Sequence, residues 1–139
     1  MTDHLAVKSA QDAQVLELGP PVGKGGDGYF PARLLGGPDI PAANVEVYEY
    51  NYHAIPLFFE DLAKHWRGWS DSKSWNSLEG HLGFEATTDR LGHIYLRVTL
   101  RAVEIAADWK VQTTLLIEAG QLDRLAREAK EVFGAAPVV

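Results

Sequence analysis

Two runs of alternating residues face each other across a three-residue break, and their numbering constrains the fold of this 139-residue chain more than any other stretch. Leu78, Gly80, Leu82, Phe84 and Ala86 share one face of the first run, while Ile94, Leu96, Val98, Leu100 and Ala102 share one face of the second. Both apolar rows fall on even numbers. Paired residues must then sum to an even value, so the connecting loop holds an odd count. Arg90-Leu91-Gly92 meets that condition, with Gly92 at the left-handed position of a three-residue loop. The predicted register sets Asp89 opposite His93, Glu85 opposite Arg97 and His81 opposite Arg101 on the outer side. Phe84 then meets Val98 and Leu82 meets Leu100 inside. A slip of one residue would turn every apolar side chain toward water. The opposite charges of Glu85 and Arg97 add about 0.2–1 kcal/mol in favour of this pairing.

Trp109, Val111, Thr113, Leu115 and Ile117 repeat the alternation with the other parity, which predicts a third strand over 108–118 reached through an even-numbered loop. Two amphipathic helices accompany the meander. Phe58, Phe59, Leu62, Ala63, Trp66 and Trp69 recur at helical intervals after Pro56, predicting a helix over 56–67 that Gly68 closes. Leu122, Leu125, Ala126, Ala129, Val132 and Phe133 mark a closing helix before the tail Gly134-Ala-Ala-Pro-Val-Val139. Upstream, 44–51 is rich in β-formers, 5–18 has the weak alternation of a short hairpin, and the Gly/Pro-rich 19–28 reads as an exposed, mobile loop. The expected fold is α+β: a single antiparallel sheet, made of the three-strand meander plus N-terminal strands, with both helices on one face and the other face open. One domain spans 1–139, with irregular N-terminal strands and loops over 1–42 and a compact core over 43–134. No internal repeat is visible in the sequence.

Composition narrows the partners. A formal charge of −6 disfavours nucleic acid and anionic lipid, and favours encounter with a basic partner. Cysteine is absent, which removes disulfides, thiolate zinc sites and a cysteine nucleophile and suits a reducing cytoplasm. The first ten residues carry no basic segment or long apolar run, so a soluble, cytoplasmic protein is expected.

Motifs for chemistry are sparse. Gly19-Pro-Pro-Val-Gly-Lys-Gly25 is one residue short of a phosphate loop and no Ser or Thr follows its lysine. His81 and His93 share a face but lie roughly 20 Å apart at about 3.3 Å per residue, too far for one metal ion. No cofactor or metal is expected. Glu79 and His81, with Arg101 opposite, have the composition of an acid–base group, which leaves a small-ligand binder or weak hydrolase as one alternative. The other alternative is an interaction module that forms a homodimer through the open face.

From residue 56 onward, Leu62-Ala-Lys-His-Trp-Arg-Gly-Trp69, Trp75-Asn-Ser-Leu-Glu-Gly-His-Leu82, Asp89-Arg-Leu-Gly-His93 and Gly120-Gln-Leu-Asp-Arg-Leu125 resemble an uncharacterised family of small actinobacterial proteins. The layout is similar to that of immunity proteins that accompany wall-associated polymorphic toxins. This resemblance covers about two thirds of the chain and rests on turn and core residues, so it bears on fold more than on activity. It implies a non-enzymatic protein that neutralises a cognate toxin by covering its active or substrate surface. The expected contact residues are Glu79, His81, Glu85, Tyr95, Arg97 and Arg101 on the outer face, with Trp69 and Asp71 at its rim.

Overall fold

The computed structural model describes residues 3–104 and 107–134. The tail after Gly134 and residues 105–106, in the stretch expected to hold an even-numbered loop, lie outside the described residues. In chain order the elements are β1 (Leu5–Lys8), β2 (Val15–Leu18), β3 (Val22–Lys24), β4 (Asp27–Leu35), β5 (Ala43–Glu49), α1 (Ala54–Lys64), β6 (Lys73–Asn76), β7 (Leu82–Thr88), β8 (His93–Glu104), β9 (Ala107–Glu118) and α2 (Leu122–Phe133).

The α+β class and the two helices hold, but the strands form two sheets instead of one. β1, β2, β4 and β5 make a first antiparallel meander, and β6–β7–β8–β9 make a second. The order of four meander strands followed by a helix thus occurs twice. The two halves share the order and rough spacing of their elements but not their residues, so no repeat of residues shows in the sequence. The single-sheet expectation fails because hydrophobic alternation shows that a strand is half-buried, and is silent about which neighbour it joins.

The Gly/Pro-rich stretch is ordered structure, not a loose loop. β2 pairs with Ala32–Leu35 of β4, and β3 pairs with Asp27–Tyr29 further along the same strand. The pairing sums change from 50 to 51 between Leu18↔Ala32 and Val22↔Tyr29, which is one extra residue bulged out at 19–21. Gly25 and Gly26, with φ of 66° and 88°, form the two-residue turn that returns the chain into β4. Residues 5–35 therefore hold four strands joined by tight turns and a bulge, and β5 belongs with them in one sheet.

In the second sheet the predicted register holds throughout. Leu82 pairs with Leu100, Phe84 with Val98 and Glu85 with Arg97, and Gly92 has a φ of 83°. The first run is shorter than expected. Ser77–His81 is a turn between β6 and β7, closed by the Ser77 N–H donating to Leu82 O at 2.9 Å, so Leu78 lies 58% exposed instead of in the core. β9 pairs with β8 from His93↔Glu118 to Glu104↔Ala107, confirming the even parity.

Each helix lies against the sheet of the other half. On α1, Phe58 and Phe59 meet Phe84 of β7, with ring centroids 5.4 and 5.9 Å apart. On α2, Phe133 meets Phe30 of β4 edge-on at 5.1 Å, and Val132 sits over Gly19, where a Cβ would lie 2.8 Å from its Cγ1. The helices also pack on each other, so both sheets and both helices share one core. The expectation that both helices cover one face of one sheet is corrected accordingly. α1 ends a turn early, at Lys64, and Trp66 emerges 50% exposed.

Two turns stitch the halves together. The Ser9–Gln14 turn reaches the edge of β9: Ala10 N–H donates to Leu116 O at 2.8 Å and Leu116 N–H donates to Ser9 Oγ at 3.1 Å. Gln14 adds Nε2 to Thr114 O at 3.3 Å. In the other direction, the Ser77–Leu82 turn is held by Glu49 at the end of β5, whose Oε1 accepts the Leu78 N–H at 2.8 Å. Glu49 is buried, and its Oε2 accepts the Asn51 N–H at 3.1 Å. No helix among the described residues is long and apolar enough to cross a membrane.

Candidate functional site

The outer face of the second sheet carries the odd-numbered residues of β7 and β8. Glu85 and Arg97 stand opposite each other and form an ion pair at 3.7 Å, each about half exposed. Two rows along, Arg101 stands opposite Lys110 of β9. Arg97, Arg101 and Lys110 outnumber Glu85 and Asp108 here by one, which leaves the patch weakly positive although the chain as a whole is acidic. Charges within about one Debye length, roughly 8–10 Å, dominate at contact, so the patch suits an acidic surface.

Beside the ion pair lies a polar hollow of about 200 Å³ lined by Ser74, Asn76, Glu85, Arg97, Thr99 and Gln112. Gly83 opens it. A Cβ at Gly83 would sit 2.6 Å from Asn76 Oδ1 and in van der Waals contact with Thr99, so the missing side chain is what leaves the floor recessed. Gln112 Nε2 donates to Thr99 Oγ1 at 2.9 Å across the hollow, and the Arg97 guanidinium supplies further donors at its wall.

The tip of the β7–β8 hairpin holds a second polar group. Asp89 Oδ1 accepts the N–H groups of Leu91 at 2.8 Å and His93 at 3.1 Å. Its Oδ2 accepts from His93 Nδ1 at 2.8 Å and from the Tyr95 hydroxyl at 3.2 Å. Partial desolvation raises the Asp89 carboxyl, but the His93 ring and the two amides outweigh it and hold the group down at about 2. The Asp89 hydrogen bond in turn raises His93, with Glu118 carboxylate 3.7 Å from its Nε2 adding to the effect. Tyr95 is raised by its own desolvation first and then by Asp89. All of these groups are occupied with one another, so the cluster fixes the hairpin tip. Register alone places Asp89 opposite His93. The further signal, missed in sequence, is that Asp two residues before Leu91 can accept its amide in a local turn.

The eight expected contact residues separate into three places. Glu85, Tyr95, Arg97 and Arg101 share the outer face as anticipated. Glu79 and His81 sit in the Ser77–Leu82 turn at the far end, where His81 turns into a cleft against β5 with only 15% of its side chain exposed. That position parts it from the Arg101 side chain, although Arg101 N–H still donates to His81 O at 2.9 Å. Trp69 and Asp71 lie between α1 and β6. Trp69 is packed against the core, its Nε1 donating to Ala86 O at 3.1 Å and its backbone N–H donating to Thr88 Oγ1 at 3.3 Å. Asp71 takes a φ of 60°, a conformation Asp tolerates better than most residues. Ser74, Asn76, Gly83, Thr99 and Gln112 are the face residues that sequence reasoning missed. They alternate with core positions, but only the pairing of β6 with β7 brings them together. Among the described residues no group of three or more His, Asp or Glu side chains is gathered to hold a metal ion.

A family model described as a family of unknown function (DUF6228) matches residues 36–136. No curated protein matches the sequence. Among solved structures, the chain is similar to one in the crystal structures of Trypanosoma bruciei MRP1/MRP2, with a TM-score of 0.51 and 11% identity over 95% of this chain and 84% of that one. At that identity the likeness concerns the fold alone.

Proposed function

The chain belongs to DUF6228, a family of unknown function, and for this member we propose a protein-binding role in which the outer face of the second sheet covers a partner protein. The observation that carries this reading is the recessed polar floor at Gly83, set beside the Glu85–Arg97 pair on an otherwise open four-stranded face. A hollow of this size takes a single polar side chain, and fixed donors on its wall give such a contact geometric specificity. The resemblance to immunity proteins supplies the biological setting: the partner is a toxin, and binding neutralises it. The weakly positive patch refines the expectation of a basic partner. The toxin's own docking region would present a carboxylate next to Arg97, and long-range attraction by the acidic remainder of this chain would act elsewhere on its surface.

Tagged protein carrying Arg97→Glu, Gly83→Leu or, as a control on the first sheet, Tyr29→Ala would be expressed beside the toxin domain encoded next to it. Loss of co-purification and of growth protection in the first two variants, with the control unaffected, is the expected result. Full protection by all three would remove the face from the reading.

A further inference from the structure

The cleft into which His81 turns has a chemistry of its own. It measures about 250 Å³ and lies between the start of β5 and the open end of the second sheet. Val45 and Ala102 give it apolar walls and Trp109, 36% exposed, gives it an aromatic one. The remaining lining residues are Asn44, Glu46, His81 and Glu104. No lysine or arginine among the described residues borders it.

His81 Nδ1 is buried without a hydrogen-bond partner, and the nearest carboxylate oxygen, Glu79 Oε2, is 4.0 Å away. A buried polar atom left in this state calls for a physical reason. A bare lone pair there would face a carboxylate, whereas a proton there is attracted by it. The carboxylate therefore selects the tautomer with hydrogen on Nδ1, as carboxylates behind imidazoles do elsewhere. With the proton on Nδ1, the neutral ring keeps its acceptor at Nε2. Two carboxylates, one imidazole acceptor, an amide and an indole face make a lining that accepts hydrogen bonds and attracts positive charge.

We propose that this cleft binds an organic cation, an alkylammonium or guanidinium group carried on an apolar stem. The stem is suggested by the neighbouring hollow, lined by Leu34, Leu35, Ala42 and Ala43 and sharing Asn44 and Trp109 with the cleft. Arg33 stands in that second hollow, so a second positive charge on the ligand is disfavoured there. A monocation is selected over a diamine. The group comes either from a free amine or from a lysine or arginine side chain of a partner.

The test follows the Trp109 indole N–H and the His81 ring by NMR during titration with n-butylammonium, with putrescine, with the blocked residue Nα-acetyl-lysine N-methylamide and with neutral n-butanol. Saturable shifts at both residues with at least one monocation, weaker ones with putrescine and none with butanol are expected. Tighter binding of butylammonium points to a free amine, and tighter binding of the blocked lysine points to a side chain. Glu46 and Glu104 are exposed, so the double variant Glu46→Gln/Glu104→Gln should fold normally and weaken binding about tenfold, in line with two lost charge contacts near a surface. Equal shifts with butanol, no shifts with any cation, or unchanged affinity in a folded double variant would each overturn the proposal, whether or not the outer face binds a protein.

Discussion

The two halves of this protein build the same meander and helix, yet finish their outer faces differently. On the first sheet, Val22, Tyr29 and Tyr48 lie side by side across three strands, with the tyrosine rings 5.1 Å apart. Tyr48 donates to Asp27 at 2.8 Å, and Glu17 lies 3.2 Å from His4 and 3.8 Å from Arg33. The second sheet instead has a recess, the Glu85–Arg97 ion pair beside it and the Asp89–His93 cluster at its hairpin tip. The stitching differs too. The first half reaches across with a serine and an amide, whereas the second half is received by a buried carboxylate. One architecture thus tolerates different polar solutions at equivalent places, because the shared core sets the fold while exposed positions are left to binding.

The largest effect should come from the helix anchors. Phe133→Ala and Phe59→Ala should each cost about 3–5 kcal/mol, the usual range for a buried phenylalanine. All four tryptophans lie between residues 66 and 109, in the second half. If the halves are interlocked, Phe133→Ala, which loosens the first sheet, will shift tryptophan fluorescence and far-ultraviolet circular dichroism in urea by the same amount. Separate transitions would break the comparison into two independent units.

Next come the stitches. Glu49→Ala strands two part-buried amides and should cost about 2–3 kcal/mol, and Gln14→Ala about 1–2 kcal/mol, since bonds to charged groups exceed neutral ones. Urea midpoints measure both. The reverse order would mean that the β9 edge, and not the β5 end, is the stronger seam.

The hairpin tip has no counterpart in the first half and gives the second its own pH response. Asp89 is held low, so its contribution is present above the ordinary carboxylate range and fades only as pH falls toward about 2. His93 is raised, so its contribution is full below the ordinary histidine value and is lost as pH rises through the elevated one. Stability from pH 5 to 8 should therefore decline in the native chain and stay flatter in Asp89→Asn. An identical slope in both would remove the pair from the pH response.

The smallest effect belongs to the face itself. Arg97→Ala should change stability by no more than about 0.5 kcal/mol, because exposed ion pairs contribute little. A larger loss in thermal melting would show that the face serves the fold as well as a partner.

Parity made the second half legible. Even-numbered rows on β7 and β8 with a three-residue loop set their register, and odd-numbered ones on β9 set the parity of its pairing with β8; the pairing of β6 with β7 left no such mark. Parity fails where pattern is short or punctuated. Leu78 and Gly80 continue the even row on paper, but the Ser77–Leu82 turn takes them out of the strand. Gly19-Pro20-Pro21 and Gly25-Gly26 look like loop composition, and only β4 beside them turns these residues into a bulge and a tight hairpin. Of the candidate site, Glu85, Arg97 and Arg101 are legible because strand alternation fixes their side. The positions of His81 and Trp69 depend on neighbours distant in sequence.

The exchange of helices between sheets has a consequence for synthesis. The apolar side of the first meander, with Phe30 at its centre, stays bare on the ribosome until Phe133 has been made. The nascent half is therefore open to wrong associations for most of translation, and a chaperone that shields it should raise the yield of native protein more than one that acts after release.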